Sequence, residues 1–103
     1  MRLVFSSIFE QDFADLVKYF AEEETPELAL RFEESTYDLI KLLSQHPELG
    51  RSRSDLKPDG IRSFRVRGFK RYLLFYRIKG DELVLLRLRY GGMDLQSLFL
   101  AWE

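Results

Sequence analysis

The side chains able to do chemistry in this sequence are cationic and aromatic, and they crowd into its second half. Arg62, Arg65, Arg67, Lys70 and Arg71 follow one another closely, and Arg87 and Arg89 sit in an apolar run, LLRLRY, that breaks at Gly91-Gly92. Guanidinium groups at this density suit recognition of carboxylates or phosphates. Beside a proton-transfer group they would also suit cleavage of RNA through its own 2′-hydroxyl, which needs a base, an acid and charge stabilisation. The other candidates are weaker. His46, the sole histidine, precedes a proline where a helix should end and reads as structural. Glu22-Glu23-Glu24 and Glu33-Glu34 resemble paired carboxylates but fall on or beside solvated helix faces. There is no P-loop, no dinucleotide fingerprint, no Ser/His/Asp grouping and no metal-ligand spacing, so neither cofactor nor metal is expected. Absence of cysteine excludes disulfides and thiolate metal sites and makes a reducing cytosol the natural compartment.

The charge is split along the chain. Residues 1–50 carry four Lys/Arg against eleven Asp/Glu, and residues 51–103 carry twelve against six. Either the opposite charges solvate two different faces, or the basic half meets an acidic partner. A net charge of −1 and a pI near 5.9 speak against a binder that relies on phosphate contacts alone. At 103 residues the chain is expected to form one domain spanning 1–103. The N-terminal apolar run meets Glu10 and Asp12 too early for a signal-peptide core, and no stretch approaches the length needed to span a membrane.

These side chains need a scaffold, and the pattern supplies one of class α+β. Residues 2–6 make a short strand. Phe9, Phe13, Leu16, Val17 and Phe20 form one apolar helical stripe, capped at Ser6 or Ser7, with Glu10, Asp12 and Asp15 in the early turns where the macrodipole favours anions. Thr25-Pro26 ends one helix and opens a second that runs to about Gln45, so the pair should form an antiparallel hairpin. Residues 47–60 read as a loop. Strands are predicted over 61–67, 71–78 and 82–90, followed by a short C-terminal helix or turn capped near Asp94.

With Gly80 and Asp81 as a two-residue turn, Lys79 lies opposite Glu82, Leu74 opposite Arg87, Leu73 opposite Leu88 and Tyr72 opposite Arg89. That register gives a face of Leu73, Phe75, Val84, Leu86 and Leu88, expected to pack under the helical hairpin against Phe13, Leu16, Phe20, Phe32 and Leu39. The opposite face carries Tyr72, Leu74, Tyr76, Leu85, Arg87 and Arg89, too apolar to stand bare. Either the C-terminal segment, with Phe99 and Trp102, folds over it, or it is a partner-binding groove.

The order strand, helical hairpin, loop and meander, with GIRSFRVRGFKRYLLFYRI and LRLRYGGMDLQSLF at its end, closely resembles the RelE/ParE toxin superfamily of type II toxin–antitoxin modules. The most specific pieces are Gly60-Ile61-Arg62-Ser63, Leu74-Phe75-Tyr76-Arg77 and the last strand running into Met93-Asp94. The resemblance implies the fold: an N-terminal strand and an antiparallel helical hairpin on one face of a mainly antiparallel sheet. RelE-like members cleave mRNA on the ribosome with Lys, Arg and a C-terminal Tyr. Here Lys57 and Arg62 are suitably placed, but the late arginine and tyrosine positions hold Met93 and Phe99, which can do neither job. The ParE-like branch fits the strand end better, although it often has histidine where this chain has Tyr90. That branch implies a non-enzymatic inhibitor of DNA gyrase, neutralised by a cognate antitoxin, ParD-like or another small DNA-binding protein, with DNA reached only through the antitoxin. A RelE-like endonuclease and a degenerate homologue that only binds its antitoxin are the alternatives. The antitoxin-binding candidates are Arg65, Arg67, Arg71, Tyr72, Tyr76, Arg87 and Arg89, and the target-binding candidates are Arg62, Tyr90, Gly91, Gly92 and Met93.

Overall fold

A computed structural model describes residues 1–91. Strand β1 (Arg2–Phe5) leads into helices α1 (Ser7–Glu23) and α2 (Pro26–Gln45), followed by β2 (Arg51–Ser52), β3 (Ile61–Val66), β4 (Phe69–Lys79) and β5 (Glu82–Tyr90). The sheet order is β1-β5-β4-β3-β2, with β1 parallel to β5 and every other pair antiparallel. Side chains fix the helix starts as the sequence suggests. Ser6 Oγ accepts from the Phe9 N–H at 2.9 Å, and Thr25 Oγ1 accepts from the Leu28 N–H at 3.0 Å, with Pro26 in the first turn of α2. The proposed C-terminal helix or turn, together with Gly92, Met93, Asp94, Phe99 and Trp102, lies outside the described residues.

Two apolar clusters flank the sheet. Under the helical hairpin, Phe9, Phe20, Phe32, Leu39 and Leu43 pack with Val66, Leu74, Tyr76, Leu83, Leu85 and Leu88. On the other face Phe75, Leu86 and Ile61 pack beneath Leu56 of the β2–β3 loop, with Leu73 and Val84 at the margin. The expected faces of the β4–β5 hairpin are therefore exchanged except at Leu88, which packs under the helices as expected: Tyr72, Leu74, Tyr76 and Leu85 lie toward the helices, and Phe75 and Leu86 lie away from them. The physical reason is that both faces are covered. Four consecutive apolar residues, Leu73 to Tyr76, carry no alternation that would tell one face from the other.

The register shows a second difference. Lys79 pairs with Glu82 as predicted, and the match continues to Tyr76 with Leu85. A bulge between Phe75 and Tyr76 then skips Leu86, so that Phe75 pairs with Arg87, Leu74 with Leu88, Leu73 with Arg89 and Tyr72 with Tyr90. One extra residue on β5 moves the rest of the strand by one position, a change the turn cannot announce. The segment read as plain loop also holds the two-residue strand β2, paired with Arg62 and Ser63 of β3. It is too short to have a pattern of its own.

Candidate functional site

The cationic side chains divide into those that serve the fold and those that remain at the surface. Arg62 belongs to the first group. Its guanidinium donates to the carbonyl oxygens of Gly50 at 2.8 Å and Glu48 at 3.2 Å, gathering the loop that follows α2. Tyr76, expected on an open face, is fully buried. Its hydroxyl donates to the Pro47 carbonyl at 2.7 Å and accepts from the Gly50 N–H at 2.8 Å, and burial pushes the phenol's pKa up. A Cβ on Gly50 would lie 2.4 Å from that hydroxyl, so this position requires glycine. Arg53, buried, grips Asp55 through two hydrogen bonds of 3.0 and 2.8 Å, donates to Ser63 Oγ at 3.2 Å and lies over the Phe75 ring. Its hydrogen bonds hold the Asp55 carboxyl below the usual range.

Arg87 also turns inward. Asp12 of α1 is only 5% exposed and accepts from Arg87 Nε at 2.8 Å, Arg87 Nη2 at 3.0 Å and the Leu88 N–H at 3.0 Å, with Arg89 Nη1 at 3.5 Å. This cluster locks α1 to the end of β5. It answers why an apolar strand finishes in arginines: they neutralise a carboxylate that the helix carries into the interior. Asp12 sits in the early turns of α1, where the helix dipole alone would favour an anion. It also stands between Phe9 and Phe13 on the apolar stripe, a position that turns inward, and that is the signal in the sequence for its burial.

The remaining predicted residues form two separate surfaces. Arg65 and Arg67, both exposed, line a groove of about 590 Å³ with Lys70, Leu39, Leu42 and Phe64. Tyr72, Arg89 and Tyr90 line a smaller cleft of about 310 Å³ with Asp15, Leu16 and Tyr19 of α1. Tyr72 and Tyr90 meet edge to face at 5.6 Å, and Arg71 Nη1 lies 3.5 Å from the Tyr90 hydroxyl, so Arg71 joins this second surface. Desolvation raises the Tyr72 pKa. Gly91 donates its N–H to the Arg71 carbonyl at 2.7 Å, and a Cβ there would lie 3.1 Å from Leu73. A side chain at this position would press on Leu73, so glycine suits the close packing here. Gly92 and Met93 lie outside the described residues.

Of the residues considered for RNA cleavage, Met93 and Phe99 lie outside the described residues, and Lys57 and Arg62 are each engaged by other groups. Lys57 pairs with Asp59 at 2.8 Å in an exposed loop, which raises the Lys57 pKa, whereas Arg62 is spent on loop carbonyls. His46 is exposed and closes α2 through its backbone N–H, 2.9 Å from the Leu42 carbonyl. Among the described residues no group of three or more His, Asp or Glu side chains is placed to hold a metal ion, and no helix is long and apolar enough to cross a membrane.

Comparison with known proteins sets this geometry in context. Residues 3–95 match the family model described as "ParE toxin of type II toxin-antitoxin system, parDE". A curated relative, Toxin ParE3 of Caulobacter vibrioides, is 47% identical over 55 residues, which are 53% of this chain and 51% of that protein. The match thus spans about half the length of each. A solved structure titled as a chromosomal ParDE toxin–antitoxin system from P. aeruginosa superposes with a TM-score of 0.73 at 22% identity, covering 87% of this chain and 95% of that one. At that identity the superposition speaks for the fold.

Proposed function

The chain belongs to the ParE family of toxins of type II toxin–antitoxin modules, and from that premise we propose that it acts by docking on DNA gyrase and is neutralised by a cognate antitoxin. The observation that carries the docking reading is the fate of the cations. A nuclease of this fold needs unencumbered basic groups converging on a scissile phosphate. Here Arg62 holds two backbone carbonyls and Arg87 holds Asp12, while Lys57 pairs with Asp59. Among the exposed cations, Arg65, Arg67 and Lys70 line a groove with apolar side chains and Arg71 lies beside Tyr90, which gives these surfaces the character of an interface.

The groove lined by Arg65, Arg67, Leu39, Leu42 and Phe64 suits an acidic, amphipathic antitoxin segment. Apolar anchors would supply most of the affinity, and the arginines would mainly raise the association rate. The cleft around Tyr90 is the surface proposed for the target, and because Tyr72 and Arg89 line it with Arg71 at its rim, these three residues, expected from the sequence to meet the antitoxin, are assigned to the target surface instead.

The test is a paired assay with purified protein. Gyrase supercoiling should be inhibited, or cleaved DNA should accumulate, while mRNA in programmed ribosomes stays intact, and adding the antitoxin should restore gyrase. Site-specific cutting of mRNA in the ribosomal A site with gyrase unaffected would replace this reading with that of a ribosome-dependent endonuclease.

A further inference from the structure

Among the described residues, the sheet's boundaries are guarded except along one strand. On the β3 side the sheet ends in β2, which is two exposed residues long, Arg51 and Ser52, and offers little template. On the β5 side, β1 covers only Glu82 to Leu85. Beyond that point α1 takes over: Ser6 Oγ donates to the Leu86 carbonyl at 3.0 Å and Asp12 accepts from the Leu88 N–H at 3.0 Å. Side chains of the helix and its cap thus occupy edge groups that another strand would otherwise seek.

The outer edge of β1 has no such guard among the described residues. The N–H groups of Arg2 and Ser6 bond to the carbonyls of Asp81 and Leu85, at 2.9 and 3.1 Å, so the even-numbered residues of β1 face β5. By strand alternation the N–H and C=O of Leu3 and Phe5 point away from the sheet. The side chains of the same two residues are exposed, at 38% and 39%. β1 holds no proline or lysine, and its one charge, Arg2, is paired with Glu82. Such an edge invites another strand.

We propose that the occupant is β1 of a second copy of this chain, paired antiparallel about a two-fold axis through Val4. This is the register that the sequence itself makes self-complementary. Leu3 then faces Phe5 of the second copy and Phe5 faces its Leu3, and both are residues whose backbone groups point outward. Each such pair exchanges two hydrogen bonds, about four across the axis. Val4 meets Val4, and Arg2 lies opposite Ser6 near the acidic first turn of the other α1, where Glu10 is exposed. No like charges face one another, and apolar cross-strand pairs of this kind are favourable. Phe5 also borders a cleft of about 650 Å³ with Phe9, Phe13, Val17 and Tyr37, which extends the apolar surface beyond the strand itself. Because four residues set the length of the pairing, the dimer is a weak and reversible one at the low end of specific interfaces, below about 1,200 Å² of buried surface.

The experiment is sedimentation equilibrium on the purified chain without an N-terminal tag, at protein concentrations reaching roughly 100 µM, where a dissociation constant of micromolar order is saturated. The average mass should double toward the dimer value. Leu3→Pro removes an outward N–H without touching the ladder to β5 and should hold the mass at the monomer value, with circular dichroism unchanged. Two charge variants fix the register. Leu3→Lys/Phe5→Lys and Leu3→Glu/Phe5→Glu should each be monomeric alone, and an equimolar mixture should recover the dimer mass. A wild-type chain that stays monomeric throughout the range overturns the proposal. So does a Leu3→Pro chain that still dimerises, or a mixture of folded charge variants that does not.

Discussion

Asp12 offers the sharpest test of how α1 is held to the sheet. Its carboxylate is enclosed and receives the Leu88 N–H and two bonds from Arg87, with Arg89 at 3.5 Å. Replacing it with alanine takes the Asp12 carboxylate from the poorly exposed Arg87 guanidinium, and removing one partner of a buried pair costs about 3–5 kcal/mol. It also strips the Leu88 N–H of its acceptor, for which the penalty is about 1–3 kcal/mol. These penalties overlap because the groups share one site, so a total of about 4–5 kcal/mol is expected. That is a large part of the 5–15 kcal/mol that holds a typical domain together. Asp15, exposed on the same helix, is the control, and Asp15→Ala should change stability by less than about 0.5 kcal/mol. The measurement is urea unfolding followed by circular dichroism, comparing midpoints at constant slope. A second arm uses Asp12→Leu with Arg87→Met. Replacing a buried pair by apolar groups of similar volume is often neutral, so the double variant should recover much of the loss, short of full recovery because Arg89 and the Leu88 N–H still lack the carboxylate. An Asp12→Ala chain within 1 kcal/mol of wild type would refute the view that this cluster locks the helix to β5.

Other consequences can be read in the same way. Gly50→Ala should destabilise by about 1–3 kcal/mol, because the new methyl meets the Tyr76 hydroxyl at 2.4 Å, and adding Tyr76→Phe should relieve part of that clash in a double-mutant cycle. Burial raises the Tyr76 pKa above its usual 10.0, so the folded state holds the proton more tightly than the unfolded one. That contribution is complete below the unfolded value and is lost as pH rises through the folded one; stability should therefore fall above about pH 10, less steeply in Tyr76→Phe. If the groove beside α2 receives an acidic antitoxin segment, Arg65→Glu/Arg67→Glu should slow association and flatten its salt dependence, leaving the melting temperature almost unchanged. Stopped-flow association at low and high salt reads this directly, and equal rates for both proteins would remove these arginines from the interface.

The sequence was legible where a pattern had one physical meaning. The stripe from Phe9 to Phe20, the Thr25-Pro26 start of α2 and the Lys79/Glu82 turn were all predicted and found, because a helical period, a cap and a two-residue turn each allow few alternatives. Legibility failed where two surfaces compete for the same residues. Leu73, Leu74, Phe75 and Tyr76 are apolar on both faces, and a loop with Leu56 that nothing marks as a cover packs on one of them. Once the faces were exchanged, Tyr76 moved from a candidate contact to a buried post for the loop after α2. The bulge at Leu86 was hidden for a different reason: its hydrogen-bonding consequence lies far off in the sequence. It brings the Leu88 N–H to the open side of β5, where Asp12, some 75 residues away, accepts from it.

The same distinction bears on how charge should be read in this fold. The first half of the chain is acidic and the second basic, which could reflect an outside partner or a solvated surface. The structure adds a third use, since Asp12 and Arg87 belong to opposite halves and neutralise each other inside the protein. Arg2 and Glu82 also join the two halves, with the signs reversed, at the exposed end of β1, while Arg89 adds to the Asp12 pair with the same sign. Part of the asymmetry is therefore a means of docking the N-terminal elements onto the last strand, a parallel contact between segments about 80 residues apart. Long-range pairs of this kind close late, after the loop entropy between them has been overcome. Opposite charges on the two segments favour their encounter. What is left for a partner is smaller than the raw count of arginines suggests, and it includes Arg65, Arg67 and Lys70, exposed beside the apolar side chains of one groove, and Arg71. A partner that recognised charge alone would find little here; one that supplies carboxylates and apolar anchors together would find both.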